Sequence, residues 1–428
     1  VKPDLAARIS RGRMIREVLA KSWVLFLTVG FAAVITSGMI WRNMLQLELA
    51  EREDLHNAFS TVLESTARAV QMWSLEEQRE VAVWARMLGS ESQGIPELVD
   101  IVSSQSGNTM SSLDIEPVLE PLMNVQGYIA YLLVQDYGEV LAASQESWVG
   151  RETGDLLDKR FLKSLFLGPD YSGILLPRLW KQDSSGGEEP PLMMVGASIP
   201  SNDGPSELAL ILLIDPEKEF TEILQRGRIG VSGESYAFNR SGQLISESRF
   251  DNDLRDIGLI EPGQRGILQI EIRDPGGNMV EGFRPAVDLS ELPLTRMAAS
   301  ATRGETDFDL DGYNDYRGVP VVGVWTWVEA LGMGITTEMD VAEATESIVQ
   351  IRRQAITTII FVLALLSGIF VIFIWNRITT AIAQREREEY VQHTNRILES
   401  ALHKAEEAEA RSRLLLESVR DGIFGVDN

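Results

Sequence analysis

Leu133-Val-Gln-Asp-Tyr-Gly138-Glu-Val-Leu-Ala-Ala-Ser144 and Ala237-Phe-Asn-Arg-Ser-Gly242-Gln-Leu-Ile-Ser-Glu-Ser248 are two versions of one pattern. In each, an apolar strand meets a polar turn, then Gly, then a second apolar strand that ends at Ser. The glycine supplies the backbone freedom that a tight hairpin needs. LMMVGASIP and ELALILLID follow the first copy; ILQIEI and VPVVGVWTWVEALGMGITTEMD follow the second. Such a repeat predicts two consecutive α+β modules, each built on an antiparallel sheet.

Outward from the repeat, the chain becomes helical and then apolar. No Gly or Pro occurs from Arg42 to Leu88, so one long helix is expected there. Leu55, Phe59, Val62, Thr66, Ala69 and Trp73 alternate steps of four and three, which lines one helix face. That face serves either core packing against the domain or a dimer stalk. Trp23–Trp41 (WVLFLTVGFAAVITSGMIW) and Ala355–Trp375 (AITTIIFVLALLSGIFVIFIW) carry no charged residue and are long enough to cross a bilayer as helices. Trp23, Trp41 and Trp375 stand at their ends, where an amphipathic ring prefers the interface. The first run is too long for a cleaved signal peptide and lacks a small-x-small site, so it reads as an uncleaved anchor.

Flanking charge sets the orientation. Lys2, Arg8, Arg11, Arg13, Arg16 and Lys21 precede the first run, and Arg377, Arg385 and Arg387 follow the second. Positive flanks stay in the cytoplasm, which puts the segment between the runs outside, although Arg352 and Arg353 lie on the outer side. The net charge of -24 argues against nucleic acid as a partner. The cysteine count of 0 excludes disulfides and thiolate metal sites. The chain starts at Val1, which is expected of an excised piece.

A long stalk helix, two PAS-like sheets and a return helix into the membrane resemble the double Cache sensor domains of bacterial histidine kinases, diguanylate cyclases and chemoreceptors. The stretches GESYAFNRSGQLISESRFD (233–251) and DGYNDYRGVPVVGVWTWVEALGMGITTEMD (311–340) are similar to the membrane-proximal module. The resemblance implies an α+β chain divided as follows: a cytoplasmic N-tail over 1–22; a first span over 23–41; an extracytoplasmic double Cache domain over 42–350; a second span over 355–375; a cytoplasmic signalling coiled coil over 376–416; and the start of a PAS domain over 417–428. Within the outer domain the stalk covers 42–88, the distal module about 115–225 and the proximal module about 230–340. The family's ligand pocket lies on the distal sheet, which implies Tyr128, Tyr131, Trp148, Arg178, Trp180 and Met194 as ligand-binding residues. The family's amino-acid-binding signature, Arg-x-Trp-Tyr, is missing, so an amino-acid ligand is not implied.

Other constellations are weaker. Asp307, Asp309 and Asp311 copy the opening of a Ca²⁺ loop, but its twelfth position is Gly318 where Glu is required. An acidic hairpin turn with no metal is the expectation. His56, His393 and His403 are too scattered for a metal or catalytic cluster, and no cofactor motif is found.

Val391, Thr394, Leu398, Ala401, Ala405, Ala408, Ser412 and Leu415 keep three-four steps after the second run, a thin heptad seam. LLLESVRDGIFGVDN resembles the opening of a PAS domain, so the parent protein is expected to continue past Asn428. The reading is therefore a homodimeric receptor of the bacterial inner membrane. It senses an extracytoplasmic small molecule and signals to an output module, a histidine kinase first and a diguanylate cyclase second. A membrane-anchored structural protein without a ligand is the alternative.

Overall fold

The computed structural model describes residues 16, 19–20, 22–89, 115–152, 159–167, 172–179, 191–201 and 206–423. They form two compact units, Val1–Glu48 with Val349–Asn428, and Leu49–Ile348.

The first unit is helical. It holds the opening of α1 (Trp23–Leu88) and most of α8 (Glu346–Ile423). Trp23, Phe26, Leu27, Phe31, Val34, Met39 and Trp41 are all at least half exposed, as are Ile360, Phe361, Leu365, Ile369, Ile372 and Trp375. Side chains of this kind leave water at roughly 25 cal/mol per Å² of apolar surface, so an apolar surrounding favours the runs. Threonine hydroxyls inside them bond their own helix. Thr28 donates to the Leu25 carbonyl (2.9 Å), Thr36 to Ala32 (2.8 Å), and Thr357 and Thr358 to Arg353 and Gln354 (2.8 Å each). Hydroxyls that bond their own helix need no water, as a lipid-facing helix demands. Phe26 and Phe370 meet edge to face with centroids 4.4 Å apart. Arg352, which opposes the charge rule, is paired with Glu48 (Nε–Oε2 3.2 Å).

The second unit is α+β. Its first sheet contains β1 (Ala130–Gln135), β2 (Val140–Ala143), β3 (Ser172–Leu179), β4 (Pro191–Ile199) and β5 (Leu208–Ile214), ordered β2-β1-β5-β4-β3 and fully antiparallel. Its second sheet contains β6 (Glu234–Phe238), β7 (Asp307–Asn314), β8 (Pro320–Val328) and β9 (Met333–Asp340), ordered β6-β9-β8-β7 and again antiparallel. The sequence repeat is a repeat of hydrogen bonds. Gln135 N donates to Glu139 O (2.9 Å) as Asn239 N does to Gln243 O (3.0 Å). Gly138 N donates to Gln135 O (2.8 Å) as Gly242 N does to Asn239 O (3.0 Å), and both glycines have positive φ (98° and 82°).

Alternation along each strand gives every sheet two apolar faces. Tyr131, Leu133, Val195 and Leu212 of the first sheet share one cluster with Ala237, Val322, Val324 and Ile335 of the second. Phe59, Leu63, Val70, Trp73, Trp84 and Leu88 of α1 belong to the same cluster. On the opposite faces, α3 (Lys159–Leu165) covers Leu132, Met194 and Ile211, and α6 (Arg296–Ala301) covers Tyr236, Phe238 and Trp325.

The stripe on α1 keeps the expected three-four stepping but not its phase. The buried positions are Phe59, Leu63, Thr66, Val70 and Trp73; Val62 is half-buried and Ala69 exposed. Apolar neighbours at 62–63 and 69–70 satisfy the period equally well, and a turn of 3.6 residues favours the second of each pair. Over this stretch the stripe packs into the core of its own domain.

Candidate functional site

The predicted ligand residues lie on both faces of the first sheet. Tyr128 precedes β1 and Tyr131 is on it; both join the α1-facing cluster. Trp148 sits in a short 3₁₀ turn, Glu146–Trp148, and Met194 on β4; both join the cluster under α3. Arg178 is half-buried on edge strand β3, opposite Leu192 of β4. Trp180 lies outside the described residues. The sheet therefore separates Tyr128 and Tyr131 from Trp148 and Met194, because adjacent strand residues point oppositely.

Tyr128 does mark a site. Its hydroxyl donates to Glu77 Oε2 (2.6 Å) and Glu80 Oε2 (3.2 Å), and its ring meets Trp84 edge to face at 5.4 Å. α2 (Glu116–Gln126) contributes Gln126, whose side-chain amide donates to Glu80 Oε1 (3.0 Å). An open groove of about 530 Å³ runs here, lined by Met72, Glu76, Arg79, Glu80, Val83, Trp84 and Gln126. Burial pushes the Glu77 carboxyl up to about 7, against the Tyr128 hydrogen bond and with help from Glu219, Glu80 and Glu76. Burial and the adjacent Glu77 likewise hold the Tyr128 phenol well above its ordinary range. Only Tyr128 of this set was legible in the sequence. Glu76, Glu77 and Glu80 fall within SLEEQRE, which reads as a solvated helix face.

A second polar cluster lies on the α6 side of the second sheet. Glu338 of β9 accepts hydrogen bonds from the hydroxyls of Tyr236 (2.8 Å) and Tyr313 (2.6 Å). Glu234 of β6 accepts from the hydroxyls of Tyr316 (2.8 Å) and Ser248 (2.9 Å) and from the Arg249 backbone N–H (2.8 Å). Arg317 is buried too. It bonds Asp315 (2.7 Å), approaches Asp340 (3.3 Å) and Asp253 (3.5 Å), and stacks on Phe250 at 3.5 Å. Burial pushes Glu338 up to about 8 and raises Glu234 and Asp315, with Arg317 opposing the rise at the latter two. Gly323, opposite Glu338 on β8, leaves the space: a Cβ there would stand 2.8 Å from the Tyr313 hydroxyl. Tyr236 and Glu338 were quoted in the sequence only as parts of strands.

The acidic stretch at 307–311 is strand, not turn. Asp307–Asn314 forms β7, and the hairpin turn follows at Asp315–Val319, closed by the Asp315 N to Val319 O and Gly318 N to Asp315 O bonds. Asp309 is buried and paired with Arg296; Asp311 is paired with Arg52 (2.9 Å). Among the described residues no group of three or more His, Asp or Glu is arranged to hold a metal ion.

No protein-family model matches the chain, and no curated protein matches it. Among solved structures it is similar to an extracellular ligand binding receptor from Desulfohalobium retbaense, at 13% identity and a TM-score of 0.36 over 66% of this chain. The chain spans 40% of that receptor's length. It is similar to the ligand-binding domain of the Pseudomonas fluorescens chemoreceptor CtaA in complex with L-serine, at 11% identity and a TM-score of 0.38 over 68% of this chain and 98% of that one. It is also similar to the sensory domain of the Campylobacter jejuni chemoreceptor Tlp3, at 12% identity and a TM-score of 0.39 over 70% of this chain and 98% of that one.

Proposed function

We propose that the chain is the anchoring and sensing part of a transmembrane signal receptor. The observation that carries this reading is the exposure of two charge-free apolar runs, Trp23–Trp41 and Ala355–Trp375, on either side of a folded acidic α+β domain. In this reading that domain lies outside the bacterial inner membrane and residues 376–416 in the cytoplasm, which the basic flanks of both runs support. In this reading 42–350 is a double Cache domain with modules at about 115–225 and about 230–340, and 417–428 opens a PAS domain. The helix after the second span pairs with its copy in a dimer. The exposed Val391, Leu398 and Leu415 of its seam support the pairing. The output is a histidine kinase, with a diguanylate cyclase as the alternative.

The ligand is a small molecule bound by the distal module. The groove beside Tyr128 is the favoured place, and it suits a ligand with a cationic nitrogen. Glu76 and Glu80 supply carboxylates, and Trp84 supplies an aromatic wall. A thermal-shift series of the full chain in nanodiscs, with amines, polyamines and simple carboxylates, tests this. A true ligand raises the melting temperature as its concentration rises. Glu80→Gln should abolish the shift produced by an amine. A shift by carboxylates alone, or one indifferent to Glu80→Gln, contradicts the assignment to this groove.

A further inference from the structure

Glu234 and Glu338 are direct partners in the β6–β9 register, and they are 5% and 4% exposed. Directly opposed like charges destabilise a sheet, and two carboxylates in a low-dielectric interior cannot both ionise without help. Among the described residues neither carboxylate forms an ion pair, and the Arg317 charge, which favours ionised Glu234, does not outweigh its burial. Arg317, the buried cation of the cluster, is engaged by Asp315, Asp340 and Asp253. The groups facing the pair are otherwise neutral donors or more acids. β6 contributes Tyr236, β7 contributes Tyr313 and Asp309, and the following turn contributes Asp315 and Tyr316. The segment after the second hairpin contributes Ser248 and the Arg249 backbone. From the helix side, Asp253 of α5 (Asp251–Asp256) approaches Arg317, while α6 adds apolar Met297, Ala298 and Ala301.

The same two strands hold the start of the exit from the domain. Glu343 accepts from the backbone N–H of Val231 (2.7 Å) and Ser232 (2.6 Å), and the Asp340 N–H donates to the Ser232 hydroxyl (3.2 Å). Arg317 ties Asp340 to the buried cluster. The segment before β6 is thereby fastened to the segment after β9, six residues ahead of Glu346, where α8 begins.

We propose that Glu234 and Glu338 form a proton site, binding one proton between two carboxyls, and that this proton acts as a latch on the β6–β9 pairing that leads into the exit segment. With the proton bound, the pair carries a single negative charge that four hydroxyls and one N–H surround. With the proton lost to solvent, two negative charges face each other across neighbouring strands, and the pairing weakens. The raised Glu338 carboxyl places the loss in the mildly alkaline range. The latch is independent of the small-molecule reading, so either can fail alone.

An infrared titration of the full chain in nanodiscs tests it, in a Glu77→Gln background because Glu77 titrates nearby. The carbonyl band of a buried protonated acid should be present at neutral pH and fade with a midpoint near pH 8. The melting temperature should fall by about 2–4 °C per pH unit from the ordinary carboxylate range up to that midpoint and level off above it. Protection of the 340–348 amides, taken relative to their intrinsic exchange rate at each pH, should fall above the midpoint. Glu338→Gln should remove the band and flatten the fall. If that variant does not fold, Tyr313→Phe serves instead, since losing a donor to the ionised form must move the midpoint upward. No such band at neutral pH, a midpoint unmoved by Tyr313→Phe, or protection over 340–348 that is the same on both sides of the midpoint overturns the proposal.

Discussion

Glu234 and Glu338 stand opposite each other on adjacent antiparallel strands, both buried, and both held by tyrosine hydroxyls instead of cations. Four hydroxyls aimed at two carboxylates leave little slack, so each is costly to remove. Tyr313→Phe strips Glu338 of its 2.6 Å donor. Leaving a buried acceptor short of a partner costs about 1–3 kcal/mol. The loss should be larger at pH 9 than at pH 6, because the ionised carboxylate needs the donor more. Thermal unfolding of the two proteins at both pH values measures it.

Glu77 gives a second, lower pH dependence. Its folded carboxyl is raised to about 7, so the folded chain holds a proton there that the unfolded chain has already released. The resulting stability is complete below the ordinary carboxylate range and is lost as pH rises through about 7. Glu77→Gln should remove this slope of melting temperature against pH. Tyr128→Phe should extend it upward, because the Tyr128 hydrogen bond holds the Glu77 value down.

Ala69 distinguishes the observed α1 stripe from the alternative phase, and Phe59 anchors both. Phe59 is fully buried against both sheets' shared cluster, and Ala69 is exposed. Phe59→Ala should cost about 3–5 kcal/mol. Ala69→Ser should stay within about 0.5 kcal/mol, as for other surface changes. Chemical denaturation read by circular dichroism checks both.

Gly242 closes the second hairpin at φ 82°, and a Cβ there would clash with a Leu294 methyl. Gly242→Ala should therefore destabilise by more than about 1 kcal/mol, the usual scale for a left-handed residue compounded by the contact. A melting temperature unchanged by the substitution would contradict the hairpin geometry.

Much of the fold was legible because it rests on short-range chemistry. The two glycine-closed hairpins, the Gly- and Pro-free α1 and the charge-free runs are all encoded within a dozen or so neighbouring residues. The polar sites were not legible, because their members meet only through sheet register. Glu234 and Glu338 are 104 residues apart and look like ordinary strand positions until β6 pairs with β9. Glu77 and Glu80 look like a solvated helix face until Tyr128 packs on them. The six ligand residues implied by resemblance were placed by position along the chain, which does not encode which face of a strand each side chain takes. Tyr131 and Met194 illustrate the result, buried on opposite sides of one sheet. The acidic triplet at 307–311 misled as to turn against strand, because polar residues that alternate along an edge strand look like those of a turn in the sequence.

The central claim is that two membrane spans divide an outer domain from a cytoplasmic helix, and the absence of cysteine from the sequence makes it directly testable. Val231→Cys introduces a thiol at a position 81% exposed in the outer domain, and Ser412→Cys one on the exposed face of α8. A membrane-impermeant maleimide applied to intact spheroplasts should label Val231→Cys at once and Ser412→Cys only after permeabilisation. Labelling of both in intact spheroplasts, of neither, or of Ser412→Cys alone would contradict the account.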